Sequence, residues 1–341
     1  MLDARARGRF AKNRAALVGA TIVLALVAFA IIAPMLSSHD PLASDFAGAV
    51  GPSQGPVGPS AAFPFGADRL FRDVLVRLAF GARLSLAIGF LATVIASTLG
   101  ATVGIIAGWY EGTDGVRVAW IVVAGLVVFV VSAIAGHPLL AGAVLLASFV
   151  ARIGAARIGV PALASGPRLN ADSALMRVVD VGLSFPFLLL VMAIGAALDR
   201  TSAGTILVTL GLTGWLGTAR ILRSKTMQVR NLDFVVAARA LGQSTSTILW
   251  RHVLPNVAGP LVVVATVSVA QMIVAESVLS YLGVGISPPT PTWGRMLNEG
   301  QDLMEAAPWL TLAPGGAILL AVFGFNLVGE GLRDALDPKE D

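Results

Sequence analysis

The chain has 341 residues, of which 56% are hydrophobic and only 13% charged, and its mean hydropathy is +0.82. Soluble domains carry roughly 25% charged residues, so this composition excludes a soluble globular protein. The chain has no cysteine, which excludes a disulfide framework, a thiolate metal site and a thiol nucleophile.

The apolar runs are continuous and lack the alternation of barrel strands, so we predict an all-α, polytopic bundle of transmembrane helices. The first run is uncharged from Ala15 to Leu36, about the length of a membrane span. Basic residues dominate the segment before it, which contains Arg5, Arg7, Arg9, Lys12 and Arg14 against one acid, Asp3. We predict that residues 1–36 form a cytoplasmic segment and a retained first span. A cleaved signal peptide is the alternative, with Ala28-Phe29-Ala30 resembling a cleavage site.

Residues 37–83 are predicted as an extracytoplasmic loop followed by an interfacial helix. Residues 37–66 are rich in Pro, Gly, Ser and Ala, which is typical of irregular structure. His39 lies in this loop, and a lone loop histidine is expected to be solvated. The next segment is amphipathic: Leu70, Val74, Leu75 and Leu78 share one helical face, with Arg69, Arg72, Asp73 and Arg77 largely opposite.

The main body, residues 84–335, contains the remaining predicted spans, and residues 336–341 are a tail. The spans are predicted at Leu84–Gly108, Val181–Leu198, Ala203–Ala219, Leu261–Ala275 and Ala306–Gly329. Within the first of them, Gly100 and Gly104 have the four-residue spacing that lets helices pack closely in lipid. No predicted span has a charge near its centre, because Asp180 and Glu276 fall at ends; Arg177 is the expected i,i+3 partner of Asp180.

The polar interval 231–260 is predicted as a surface helix–turn–helix on the cytoplasmic side. Asp233 is a candidate N-cap for a first helix, and Gly242 stands where a C′ glycine would end it. Ser244 or Thr245 can cap a second helix that runs to about His252, and Pro255 and Pro260 are expected to stop it. The small residues of the first helix, Ala237, Ala238 and Ala240, are expected to face outward.

A DNA-binding unit is one interpretation of this interval. Ala238, Gly242 and Ile248 fit the spacing Ala–x3–Gly–x5–Ile of a DNA-binding helix–turn–helix. The unit lies between two membrane-length segments, which leave a recognition helix little freedom to enter a groove. We therefore expect no nucleic-acid partner.

The second interpretation is a family resemblance. The words AARALG and RHVLPN resemble the cytoplasmic "EAA" loop of ABC transporter permeases, with pattern EAA–x3–G–x9–I–x–L–P. Ala237, Ala238, Gly242, Leu254 and Pro255 fall on that pattern, and His252 takes the Ile position. Val236 replaces the Glu, and Arg239 is the expected substitute for its polar contact. Segments 65–86, 175–186 and 275–297 resemble the dipeptide/oligopeptide/nickel branch, specifically its C-type permease.

The resemblance implies a function and a set of partners. The chain is expected to be the permease subunit of an ATP-driven, binding-protein-dependent importer in a bacterial inner membrane, with both termini cytoplasmic. Its partners would be a homologous second permease, two ATPase subunits, a solute-binding protein and membrane lipid. The permease would form half of the pathway, with di- or oligopeptides as the expected solute and nickel, glutathione or another small solute as alternatives.

The sequence lacks the residues that ATP hydrolysis, metal binding or ion-coupled transport would need. The lysines are Lys12, Lys225 and Lys339, and none follows a glycine, so a Walker A loop is impossible and the ATPase must be another chain. No cofactor or metal site is expected. An ion-coupled secondary transporter is the alternative class, but it usually needs a charge inside a span.

Residues 115–171 are an insertion relative to the family pattern. The run Val118–Gly136 is uncharged and near spanning length, and Leu139–Val150 follows after His137-Pro138. The interval 231–260 remains cytoplasmic only if the insertion crosses an even number of times. We predict an extra hairpin with two crossings, giving about eight spans; a re-entrant or interfacial hairpin is the alternative.

Overall fold

A computed structural model describes residues 4–37, 39–51, 55–112, 116–117, 147, 168–169, 171–197 and 202–336. The protein is all-α, as predicted. Within these ranges five helical stretches are long and apolar enough to span a membrane, and a bent pair of helices makes a sixth if it is counted as one span. These stretches are Arg14–Met35, Val74–Trp109, Ala203–Val229, Thr245–Tyr281 and Trp309–Leu336.

The N-terminal region forms two helices, α1 (Ala4–Lys12) and α2 (Arg14–Leu36). Asn13 separates them because its side chain accepts a hydrogen bond from the amide of Ala16 at 3.1 Å and so caps α2. The first predicted span agrees with α2 to within one residue. The helix packs against the last helix of the chain.

Helix α3 (Val74–Trp109) is one continuous element, so no separate interfacial helix precedes the second span. Of the charged face predicted to meet water, Arg69 is exposed, but Arg72, Asp73 and Arg77 are buried. Glu299 accepts hydrogen bonds of 2.9 Å from both Arg72 and Arg77, and Asp68 accepts one of 2.7 Å from Arg72. We call these four residues the Glu299 cluster. Arg77 is 1% exposed, because opposite charges compensate its burial.

The loop before α3 is tied to the start of that helix. His39 lies with Nδ1 2.7 Å from Oδ2 of Asp73, and its ring stacks on Phe63 at 4.8 Å. The other oxygen of Asp73 accepts from the amide of Leu75 at 2.8 Å. The expectation of a solvated histidine was therefore wrong: His39 holds the residue that caps α3.

Two helices follow where one span was predicted at Val181–Leu198. They are α4 (Ala171–Leu183) and α5 (Phe187–Ala197), and they are bent by 85° across Ser184–Pro186. Proline lacks an amide hydrogen and clashes with the preceding turn, which explains the interruption. Asp180 pairs with Arg220 of a later helix at 2.6 Å, and not with Arg177 as predicted from spacing.

The next span consists of α6 (Ala203–Thr213) and α7 (Trp215–Val229). It continues beyond the predicted end at Ala219, so Arg220, Arg223 and Lys225 lie on the helix. Gly100 and Gly104 of α3 contact α7 so closely that a Cβ at either would collide with Thr218 or Ala219. The predicted role of these glycines in helix packing is thus confirmed.

The C-terminal half contains α8 (Asp233–Ala240), α9 (Thr245–Ile248), a π-helical turn (Leu249–Val253), α10 (Leu254–Tyr281), α11 (Trp293–Gly300), a 3-10 turn (Gln301–Leu303) and α12 (Trp309–Leu336). Helix α10 passes Glu276, where the span was predicted to end. Glu276 is fully buried and accepts hydrogen bonds from Ser280 at 2.7 Å and Ser85 at 3.0 Å. These hydroxyls satisfy a carboxyl group that the sequence placed at a boundary.

Among the described residues, two hydrophobic cores join several of these helices. One joins α2, α3, α10, α11 and α12 around the buried Trp293, whose indole donates to the carbonyl oxygen of Leu78 at 3.1 Å. The other joins α3, α5, α6 and α10 around Leu210 and Ile206. Both draw on α3 and α10, which are therefore central to the bundle.

Residues Ile106–Val178 form a second compact unit. Its two short strands, β1 (Val116–Arg117) and β2 (Arg168–Leu169), pair antiparallel with Val116 opposite Leu169. They lie at the two ends of the predicted insertion. The two apolar runs of the hairpin, Val118–Gly136 and Leu139–Val150, lie outside the described residues apart from residue 147.

Candidate functional site

The first helix of the interval 231–260 ends in a complete C-cap. The amide of Gln243 donates to the carbonyl oxygen of Ala238 at 3.2 Å, and that of Gly242 to Arg239 at 3.0 Å. This pair of bonds is a Schellman motif, which needs a left-handed residue at C′. Gly242 has φ +76°, as its predicted role requires. At the other end, the N-cap is Leu232 rather than Asp233, which is the first helical residue.

The second helix is capped as predicted but does not stop at the prolines. The hydroxyl of Ser244 accepts from the amide of Thr247 at 3.3 Å. The chain then stays helical through the π-helical turn, whose wider ring joins the amide of Leu254 to the carbonyl of Leu249. The turn precedes Pro255, which lies at the start of α10, while Pro260 lies inside it. We attribute this continuity to the wide turn, which gives the proline ring room.

His252, in the π-helical turn, contacts the first short helix and the turn that follows it. Its Nε2 lies 3.2 Å from Oε1 of Gln243, and its ring centroid is 6.2 Å from that of Phe234. The carbonyl oxygen of His252 also accepts from the side chain of Asn256 at 2.6 Å. The histidine therefore links α8 to the start of the helix that runs into the membrane.

The interior of the loop is small and apolar. It contains Val235, Ala238, Ile248 and Val253, all buried. Ala238 is only 5% exposed, so the expectation that it faces outward was wrong. Its methyl group lies inside the loop, whereas Ala237 and Ala240 are exposed.

The outer surface of the loop carries apolar side chains that the sequence analysis missed. Leu241 is 81% exposed and Trp250 73% exposed, while Phe234 and Val236 are partly open. Arg239 is exposed on the same helix, and a Cβ at Gly242 would meet nothing within 4 Å. Large exposed apolar residues on a polar loop are typical of a protein-binding surface. The sequence did offer one signal of this surface, since Leu241 is a large apolar residue directly before the C′ glycine.

A cavity of about 530 Å³ lies in the bundle beside the bend between α4 and α5. Helices α7, α10 and α12 form its other walls. Its lining includes Thr213, Gln271 and Asn326 as polar side chains and is otherwise apolar or glycine. No charged side chain is among the residues that line it.

The sequence matches two families over most of its length. Residues 158–341 match the family described as binding-protein-dependent transport system inner membrane component. Residues 4–56 match the N-terminal transmembrane domain of oligopeptide transport permease C. The first match covers more than half of the chain and includes the loop at 231–260.

Curated relatives are similar over nearly the whole chain. The dipeptide transport system permease protein of Alkalihalophilus pseudofirmus is 34% identical over 96% of this chain and 87% of its own length. The oligopeptide transport system permease protein of Bacillus subtilis is 33% identical over 97% and 88%. A glutathione transport system permease protein of Pectobacterium atrosepticum is 31% identical over 97% and 89%.

The chain belongs to the family of binding-protein-dependent transport system inner membrane components. It is a multi-pass inner-membrane permease subunit of an ABC importer, as the resemblance implied, and not an enzyme. Membership of this family also excludes the alternative class considered above, an ion-coupled secondary transporter.

Proposed function

We propose that this permease imports di- or oligopeptides and that the loop at 231–260 docks a separate ATPase subunit. The observation that carries the docking proposal is the exposure of Leu241 and Trp250 on a loop with its own packed interior. An apolar surface of this kind is stabilised by burial against a partner. The other positions that we assign to coupling are Ala237, Ala238, Arg239, Gly242, His252, Leu254 and Pro255, with Ala238 acting from the interior of the loop.

The proposed complex contains this chain, a homologous second permease, two ATPase subunits and an extracytoplasmic solute-binding protein. The loop transmits the closure of the ATPase dimer to α10, because the chain is helical from Thr245 to Tyr281. A rigid connection of this kind converts movement at the loop into movement of the span. Both termini are proposed to be cytoplasmic.

Co-purification tests the docking proposal. Leu241→Asp places a charge on this surface, and we expect the ATPase subunit to be lost from the purified complex. Leu282→Asp is the matched control, since Leu282 is also exposed, at 52%, but follows the opposite end of α10. Retention of the ATPase by Leu241→Asp would contradict the proposal.

The solute proposal follows the names of the relatives and has its own test. The solute-binding protein of the proposed complex is purified from cells, and its bound ligand is identified by mass spectrometry. Peptides of two or more residues support the proposal. Glutathione, nickel or a solute of another class would replace it without affecting the docking of the ATPase.

A further inference from the structure

Two amide side chains occupy unusual positions in the membrane-spanning helices. Gln271 lies in α10 and Asn326 in α12, each more than two turns from either end of its helix. Both are exposed on the surface of the bundle. Within the described part of the chain, neither amide makes a side-chain hydrogen bond.

Some other polar side chains on the surface of the bundle do form hydrogen bonds within their own helix. Thr266 donates to the carbonyl oxygen of Val262 at 2.8 Å, and Thr98 donates to Val94 at 2.7 Å. Because each hydroxyl donates to a carbonyl oxygen of its own helix, it can face lipid without leaving its donor unpaired. An amide has two donor hydrogens and an acceptor oxygen, and in lipid they would remain unpaired at a high cost. Gln271 and Asn326 therefore require water, a solute or another protein.

Both amides line the same cavity, the one beside the bend between α4 and α5. A second cavity of about 760 Å³, between α2 and α12, provides a comparison. Its lining has no amide and no charged residue, and the indole of Trp309 there is already bonded to the carbonyl oxygen of Ala67 at 3.2 Å. The second cavity can therefore be covered by lipid, whereas the cavity with Gln271 and Asn326 has amides that lipid cannot satisfy.

We propose that this cavity is the part of the translocation pathway that this chain contributes, and that Gln271 and Asn326 contact the peptide groups of the passing solute. The inference rests on the proposed function and extends it to named residues. Each amide offers both a donor and an acceptor, so it pairs with a backbone N–H or C=O whatever the solute's side chains. The rest of the lining is uncharged, so no ionic contact within the cavity holds the solute.

Thiol accessibility tests the first part of the proposal. The chain lacks cysteine, so Gln271→Cys and Asn326→Cys each introduce one thiol into this subunit. In the complete complex in membrane vesicles, we expect a charged, water-soluble maleimide to label both, at rates that change at least twofold when ATP and vanadate are added. The control is Leu319→Cys, which is exposed on α12 but does not line the cavity. Labelling of Gln271→Cys and Asn326→Cys no faster than Leu319→Cys would overturn the proposal.

Filling the cavity tests the second part. A Cβ at Gly217 meets nothing within 4 Å and Gly217 lines the cavity, so Gly217→Phe is the substitution chosen to place a ring there. Gly316 is equally open but lines the comparison cavity, which makes Gly316→Phe the matched control. We expect Gly217→Phe to lower ATP-dependent uptake of radiolabelled trialanine at least tenfold and Gly316→Phe to leave it within twofold.

The outcomes separate this inference from the proposed function. If the wild-type complex takes up trialanine and Gly217→Phe does so at the same rate, the pathway lies elsewhere and the inference fails alone. If the wild-type complex takes up no trialanine and its binding protein carries another solute, the peptide function fails. In that case the maleimide rates still decide whether the cavity lines a pathway.

Discussion

The side chain of Arg83 in α3 donates from Nε to the carbonyl oxygen of Ala30 in α2 at 2.6 Å. That carbonyl needs an outside donor because the residue four positions later is Pro34, which has no amide hydrogen. The guanidinium also lies over the ring of Phe80, 4.7 Å from its centroid. A proline in one span is thus compensated by an arginine in the next.

This relationship predicts a non-additive pair of substitutions. Arg83→Met should destabilise the protein by about 1–2 kcal/mol, because it leaves the carbonyl of Ala30 unpaired in the bundle. Pro34→Ala restores a backbone donor, so Arg83→Met should cost clearly less in that background. The measurement is the thermal unfolding midpoint of the four proteins in detergent. Equal costs in both backgrounds would show that Arg83 does not act through Ala30.

Gly242 has two proposed roles, as the C′ residue that ends α8 and as a coupling position, and one substitution can separate them. Asparagine tolerates the left-handed conformation, so Gly242→Asn keeps the Schellman turn while adding a side chain to the open surface. We expect this variant to hydrolyse ATP with uptake reduced at least tenfold. Gly283 is the matched control, with φ +81° and equally open space, and Gly283→Asn should transport normally. Normal uptake by Gly242→Asn would show that Gly242 serves only to end the helix.

Ala238 and Ala237 should respond differently to the same change. Leucine at Ala238 overfills the interior of the loop and should destabilise it by about 1–3 kcal/mol, seen as faster proteolysis between residues 231 and 260. Ala237→Leu changes only the exposed surface, and it should weaken ATPase binding without altering proteolysis. Similar proteolysis of the two variants would contradict this assignment.

The Glu299 cluster should be sensitive to loss of its central charge. Glu299→Gln leaves two buried guanidinium groups with Asp68 as their remaining carboxylate in the cluster, so we expect a loss of about 3 kcal/mol in stability. Glu305→Gln removes an exposed carboxylate from the same region and should change stability by less than about 0.5 kcal/mol. Thermal unfolding of both proteins in detergent compares them directly.

Local signals in the sequence were sufficient for part of this architecture. The first span depends on one continuous apolar run, and the glycine at 242 and the cap at Ser244 each depend on residues within one turn. The structure has all three as predicted. The continuity of the helix through Pro255 was missed because it depends on a π-helical turn that no residue type specifies.

Long-range pairing accounts for the larger errors. Arg72 and Glu299 are 227 positions apart, and nothing near either residue indicates that they meet. Read alone, the charges near Arg72 predict a helix at the membrane surface. The same limitation hid Glu276, whose partner Ser85 lies in another span, and the burial of Ala238, which depends on the packing of both short helices.

The last prediction concerns the insertion at 115–171. The pairing of Val116 with Leu169 holds its two ends side by side, so both ends belong on the same face of the membrane. The number of crossings between them must then be even. Zero crossings would leave the uncharged run Val118–Gly136 in water, where so large an apolar segment is not tolerated. We therefore expect two crossings, with the turn at His137 on the outer side.

Cysteine labelling in intact cells measures this directly. His137→Cys should react with an impermeant maleimide added from outside, as should Glu305→Cys, which serves as the outer reference. Ser246→Cys, the inner reference in the loop at 231–260, should react only after the membrane is permeabilised. If His137→Cys behaves like Ser246→Cys, the insertion is a re-entrant or interfacial hairpin that never reaches the outer side. If Ser246→Cys reacts in intact cells, the loop is outside, and no ATPase in the cytoplasm could bind it.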